Sequence, residues 1–89
     1  MIEEMLGRLH DDWQAVEDHH LARTFTFKNF AQALEFVNHI GAIAEEQAHH
    51  PDIILSYGKA RVEIFTHKID GLTESDFILA AKCDEAYGG

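Results

Sequence analysis

The sequence predicts an α+β domain: a four-stranded antiparallel sheet with helices packed on one face, built as a β-β-α-β-β-α core after a short N-terminal helix. Three observations carry that expectation. Residues Leu21 to Phe27 alternate, with Leu21, Arg23, Phe25 and Phe27 on one face and Ala22, Thr24 and Thr26 on the other, which is the period of a strand. Phe30, Ala33, Leu34, Val37, Ile40, Gly41, Ala44 and Ala48 recur at steps of three and four, the period of an amphipathic helix. A second hairpin-plus-helix pattern follows the first, and two such halves layer as helices over a single sheet.

Taken in order, Met5, Leu6 and Leu9 predict a short helix over about residues 2–10. Trp13, Ala15 and Val16 begin an extended segment, and Asp18-His19-His20 turns it back into the alternating strand as a hairpin. Asn29 stands where an N-cap belongs. The long helix then runs towards Pro51, which cannot donate to the helix ladder and pushes His50 to extended backbone. Ile53, Ile54 and Leu55 open a third strand that runs to Tyr57, and Gly58-Lys59 is a tight turn. Residues 60–67 form the fourth strand, with Val62 and Ile64 facing one way and Arg61, Glu63 and Phe65 the other. After the Asp70-Gly71 turn, Thr73-Glu74-Ser75-Asp76 resembles a capping box, with Asp in place of the usual Glu or Gln. Phe77, Ala80, Ala81 and Asp84 mark the last helix, and Gly88-Gly89 is its tail.

Eighty-nine residues, 46% of them hydrophobic, suit one domain over residues 1–89. So small a core, in a sheet with exposed edge strands, makes a homodimer or homotetramer through sheet edge or helices an expectation. No apolar run is long enough to span a bilayer. Met1-Ile2-Glu3-Glu4 is acidic where an export signal is basic, and the single cysteine, Cys83, suits a reducing compartment, so a cytoplasmic location is expected. Seven Lys and Arg stand against sixteen Asp and Glu, a net charge of −9. Nucleic-acid binding needs a basic footprint, and none is visible.

The chemistry-bearing residues concentrate where the long helix ends, at Glu45-Glu46-Gln47-Ala48-His49-His50-Pro51-Asp52. Glu45 and His49 are four apart, which sets a carboxylate beside an imidazole able to donate or accept a proton. Taken alone, the pair also reads as a solvated helix end with a surface ion pair, and His50 as an ordinary loop histidine. Asp76 reads equally as the capping-box partner of Thr73 or as a site residue, and Tyr57 as a packing residue or a site wall. His10, His19, His20 and His39 have no partner pattern and read as surface or structural residues. A zinc site needs three or four ligands at suitable spacing, and adjacent His49-His50 without a cysteine pair or a His-Glu-x-x-His motif does not supply it. No metal is expected. Cys83 is remote from the histidines, and neither a Gly-x-Ser-x-Gly elbow nor a glycine-rich phosphate loop occurs.

Together these residues resemble a known family. Glu45, three residues, His49-His50-Pro51, five residues, Tyr57, nine residues, His67, eight residues and Asp76 is similar to the motif of the pterin-4a-carbinolamine dehydratases. Trp13, Thr24-Phe25-Thr26-Phe27, Phe30, Ala33, Phe36-Val37-Asn38, Thr66-His67 and Gly71-Leu72-Thr73-Glu74-Ser75-Asp76-Phe77 also match in kind and order. The resemblance implies the sheet-and-helix fold derived above. It further implies an enzyme that removes water from 4a-hydroxytetrahydropterin to give quinonoid dihydropterin, recycling a pterin cofactor of hydroxylases, with no bound cofactor of its own. It implies His49 and His67 in proton transfer and His50 mainly in pterin binding. Glu45 would support His49, Asp76 would orient a histidine or touch substrate, and Tyr57 and Thr66 would line the site. Ala48 stands where some members carry an acidic residue, and Ile53 where a large aromatic often follows the His-Pro pair; both bear on pterin affinity. The competing expectation is a non-catalytic oligomerisation or regulatory partner on the same fold.

Overall fold

Alternation along the chain becomes register in the sheet. The structure, a computed structural model, describes residues 2–88. Its elements run α1 (Ile2–Leu6), β1 (Gln14–Val16), β2 (His20–Thr26), α2 (Phe30–Gln47), β3 (Asp52–Ser56), β4 (Lys59–Ile64) and α3 (Glu74–Tyr87). The strands lie in the order β1-β2-β4-β3, every pairing antiparallel. At the centre, Leu21 stands opposite Ile64, Arg23 opposite Val62 and Phe25 opposite Ala60, and Ile53 and Leu55 of β3 extend the same face. That face is dry. Leu21, Phe25, Ala60, Val62 and Ile64 are buried with Phe36 and Ile40 of α2 and Leu79 and Ala80 of α3. Burying each of the larger side chains contributes roughly 1.5–3 kcal/mol relative to exposure. The reverse face carries exposed Thr24, Thr26 and Ile54, with Arg61 and Glu63 half-buried. The expected fold class is the observed one.

Arg23 is the one charged side chain on the dry face, and its partner comes from the far end of the chain. Its Nη1 donates to Asp84 Oδ1 at 2.6 Å, Trp13 Nε1 donates to the same oxygen at 2.8 Å, and the guanidinium lies 4.3 Å from the Phe25 ring centre. A buried charge persists only when paired in this way.

Several element boundaries differ from expectation: β2 ends at Thr26, β3 runs Asp52–Ser56 and β4 starts at Lys59, so the second hairpin turns at Tyr57-Gly58, and four others shift as well. α1 stops at Leu6, and Arg8 and Leu9 close single turns onto Met5 and Leu6. The first hairpin turns at residues 17–19, so His20 begins β2. β4 ends at Ile64, after which Thr66 bridges Gly71 and bends the chain away. α2 ends at Gln47, before Pro51 can act: Ala48 takes the left-handed conformation (φ 53°) and the His49 N–H reaches back to the Ala44 carbonyl at 3.1 Å. The part left to Pro51 is to keep His50 extended.

The core stripe of α2 also moves. Its buried residues are Ala33, Phe36, Ile40 and Ala44, whereas Phe30 and Leu34 are 44% and 40% exposed. Apolar residues cover more than one stripe of this helix, and the sheet selects the one it meets. Phe36 packs 4.7 Å from Phe25 and 5.0 Å from Phe27, within an aromatic cluster that also holds Tyr87. At the N-terminus of α2, Asn29 caps as expected, its Oδ1 accepting from Gln32 N at 2.9 Å. In α3, Ala81 is exposed and Leu79 and Cys83 are buried instead. Gly88 caps the helix with φ 93°, and Gly89, the last residue of the expected tail, lies outside the described residues.

Candidate active site

The turn at Ala48 decides which carboxylate each histidine meets. Had α2 continued, Glu45 and His49 would sit one above the other. Because the chain instead swings out at Ala48, His49 reaches α3 and His50 comes back to α2. His49 Nε2 pairs with Asp76 Oδ1 at 2.5 Å, and His50 Nε2 pairs with Glu45 Oε2. The expected Glu45–His49 pair is therefore corrected: Glu45 holds His50, and Asp76 holds His49.

The two pairs differ sharply in burial. The side chains of His49 and Asp76 are 16% and 0% exposed; those of His50 and Glu45 are 63% and 77% exposed. Asp76 divides its carboxylate between two tasks. Oδ2 accepts the Thr73 N–H at 2.7 Å, closing the first turn of α3, and also the Thr66 hydroxyl at 2.9 Å. Oδ1 is left to orient His49. Asp76 thus completes the capping box of Thr73 with one oxygen and bonds His49 with the other. Thr73 adds its own hydroxyl 2.8 Å from that of Thr66, so the end of β4 and the start of α3 are tied beneath the imidazole. With Nε2–H directed at a carboxylate, His49 keeps Nδ1 as the ring nitrogen free to accept a proton.

Thr66 carries the network to the neighbourhood of His67. The His67 side chain is exposed, and its ring lies 4.2 Å from that of Phe65, two residues earlier and on the same side of the chain. Thr66 points to Asp76, whereas the rings of Phe65 and His67 lie against each other. Among the described residues, His67 makes no hydrogen bond to His49 or Asp76.

Tyr57 is not brought to this cluster. It is 71% exposed in the β3–β4 turn, whereas His50 precedes the opposite end of β3. At a rise of about 3.3 Å per residue, the strand separates them by roughly 16 Å. Its reading as a site wall within one chain is corrected accordingly. A groove of about 660 Å³ lies between Phe27, Phe36, Tyr87, Gln32 and His39, and none of the candidate residues lines it. Cys83 is fully buried, and burial, with the Asp84 charge adding to it, pushes its thiol up to about 12. It stays protonated and is no nucleophile at neutral pH. Among the described residues, no three of His, Cys, Asp and Glu converge as a metal ion requires, and no helix is long and apolar enough to cross a membrane.

Thr73 enters the network without having been singled out, although the capping box marked its position. His19 and Phe65 had no signal of this kind. His19 belongs to one hairpin and its contacts to the other, and the pairing of β2 with β4 is what brings them together.

Comparison with known proteins agrees with the residue pattern. The profile of the family described as pterin 4 alpha carbinolamine dehydratase matches residues 1–86. A relative from Alkaliphilus metalliredigens that carries the dehydratase name is 54% identical over 84 residues, 94% of this chain and 76% of its own length. A crystal structure of a transcriptional coactivator/pterin dehydratase from Brucella melitensis superposes with a TM-score of 0.91 at 34% identity, over 98% of this chain and 93% of that one. A pterin dehydratase-like protein identified as a RuBisCO assembly factor in the alpha-carboxysome shares the fold, with a TM-score of 0.69 at 24% identity over 79% of this chain and 81% of that one.

Proposed function

The chain belongs to the pterin-4a-carbinolamine dehydratase family, and we propose that it is a hydro-lyase that dehydrates 4a-hydroxytetrahydropterin to quinonoid dihydropterin. The observation that carries the proposal is the buried Asp76 carboxylate, which orients His49 with one oxygen and ties down the Thr66 end of β4 with the other. The reaction breaks the C4a–O bond and forms a C4a–N5 double bond. One group removes the N5 proton, the N5 lone pair moves into the new bond, and a second group protonates the departing hydroxyl, which leaves as water. Nothing is oxidised or reduced. Two positioned histidines suffice for both proton transfers.

In this reading His49 is the base. Asp76 holds its Nε2–H, so the neutral ring presents Nδ1 to N5–H, and the carboxylate stabilises the imidazolium that forms. His67, exposed beyond Thr66, serves as the acid. His50, held by Glu45 at the rim, binds the pterin, and Thr66 lies beneath it. Neither a metal nor a bound cofactor takes part. We further propose that the chain acts as a single cytoplasmic domain that self-associates. Exposed Phe30, Leu34 and Ile54 and the free edge of β3 support this, and light scattering on the purified protein tests it.

The assembly factor shares the fold alone, so the proposal rests on the site residues and not on the fold. The decisive experiment follows the absorbance of 4a-hydroxytetrahydropterin with the purified chain and no added metal. Faster decay than in buffer is expected. Decay at the buffer rate would overturn the proposal and favour a non-catalytic partner.

A further inference from the structure

The tip of the first hairpin grips the turn that carries His67. Glu17 and Asp18 hold φ of 52° and 55°, the left-handed region that side chains other than glycine adopt only under constraint, and the His19 N–H closes on the Val16 carbonyl at 2.9 Å. This sharp reversal throws the His19 ring across to the segment from Thr66 to Gly71. There His19 Nε2 donates to Asp70 Oδ1 at 2.7 Å, and His19 Nδ1 lies 3.1 Å from His20 Nδ1, so both ring nitrogens are engaged. The same ring lies 4.6 Å from Phe65, tilted 39°, while Phe65 lies 4.2 Å from His67, tilted 35°. One phenyl ring therefore packs against two imidazoles, and the carboxylate three residues after His67 is tied to the outer one.

An ion pair with side chains 35% and 83% exposed contributes little to global stability. Its effect is local. The Asp70 backbone N–H bonds to the His67 carbonyl at 3.2 Å, so holding Asp70 holds the turn from which the His67 side chain projects. We propose that His19 is a positioning residue for His67: through Asp70 and Phe65 it fixes the turn and the ring plane from which His67 transfers its proton. The role rests on the dehydratase reading given above.

The test uses the full chain and two readouts, steady-state dehydration and the His67 imidazole resonances, assigned by their loss in His67→Gln. His19→Ala is expected to lower kcat by at least about fivefold with KM within about twofold, because misplacing a proton-transfer group slows chemistry more than binding. The His67 ring resonances are expected to shift, since the Phe65 ring current depends on how the two rings lie. His19→Phe keeps a ring against Phe65, His19→Gln keeps a donor for Asp70, and each is expected to recover part of the rate. Unchanged kcat, or unmoved His67 resonances in His19→Ala, overturns the proposal. If the wild type does not dehydrate the substrate, the dehydratase reading fails instead, and the resonances still decide whether His19 positions His67. Should His19→Ala fail to fold, Asp70→Ala removes an exposed partner and carries the same two readouts.

Discussion

His49 and His50 are joined by one peptide bond, and each pairs through Nε2 with a carboxylate, yet they occupy different physical worlds. The His49 partner is fully buried and holds two further donors; the His50 partner is a solvent-washed residue five positions earlier on the same helix. In low dielectric, with the carboxylate itself anchored, an imidazole is held in one tautomer and one orientation. At the surface, screening and side-chain freedom leave a pair worth about 0–1 kcal/mol. Residue type and spacing were thus poor guides to which partner each histidine meets, and the backbone turn at Ala48 was the deciding event.

The largest way to test this contrast is in turnover. His49→Ala is expected to lower kcat about a hundredfold, the scale of a lost general base. His50→Ala is expected chiefly to raise KM, with kcat within a few-fold. Equal losses of kcat in steady-state assays of the two variants would break the comparison. Next comes stability. Asp76→Ala removes the helix-capping acceptor and orphans the Thr66 and His49 donors, at a cost of about 2–3 kcal/mol in urea unfolding. Glu45→Gln is expected to change stability by less than about 0.5 kcal/mol, so similar midpoints for the two would undo the argument from burial.

Cys83 isolates burial from catalysis. Burial pushes its thiol from the ordinary value of 9.0 up to about 12, so above pH 9 the folded state keeps a proton that the unfolded state loses. Stability is therefore full below pH 9 and falls above it, by up to about 1.4 kcal/mol per pH unit. Urea melts of the wild type and Cys83→Ala between pH 8 and 11 should show the slope in the first and a shallower one in the second. A further effect of modest size concerns the turn itself. Ala48→Gly relieves a left-handed alanine and should stabilise the fold by about 0.5–1 kcal/mol in the same melts, while leaving His49 on Asp76. A loss of stability would show that Ala48 holds the turn by more than its backbone angle.

Much of the fold was legible because it follows from local periods. The alternation of Leu21 to Phe27 and of Arg61 to Phe65 marked the central strands, and Asn29 marked the start of α2 by a cap whose partner is three residues away. The α2 stripe was misplaced because its apolar residues cover more than one face, and only contact with Phe25 and Phe27 shows that Phe36 points inward. In the candidate site, the histidines and Asp76 were singled out by their spacing and the family they resemble. Their pairing was not, since the Ala48 turn leaves no mark that distinguishes it from one more helical residue. Tyr57 shows the converse: spacing grouped it with the histidines, and strand length carries it to the other end of the sheet.

By itself, the sequence determined the order of elements, the dry face of the sheet and the family, because periodicity, caps and motif spacing are properties of short segments and residue identity. The tertiary structure decided which carboxylate meets which histidine, that Asp76 serves helix and imidazole with separate oxygens, and that His19 reaches the turn of His67. Those outcomes depend on one left-handed residue at Ala48 and on β2 docking against β4. Both place distant groups within a few ångströms, which no local pattern encodes.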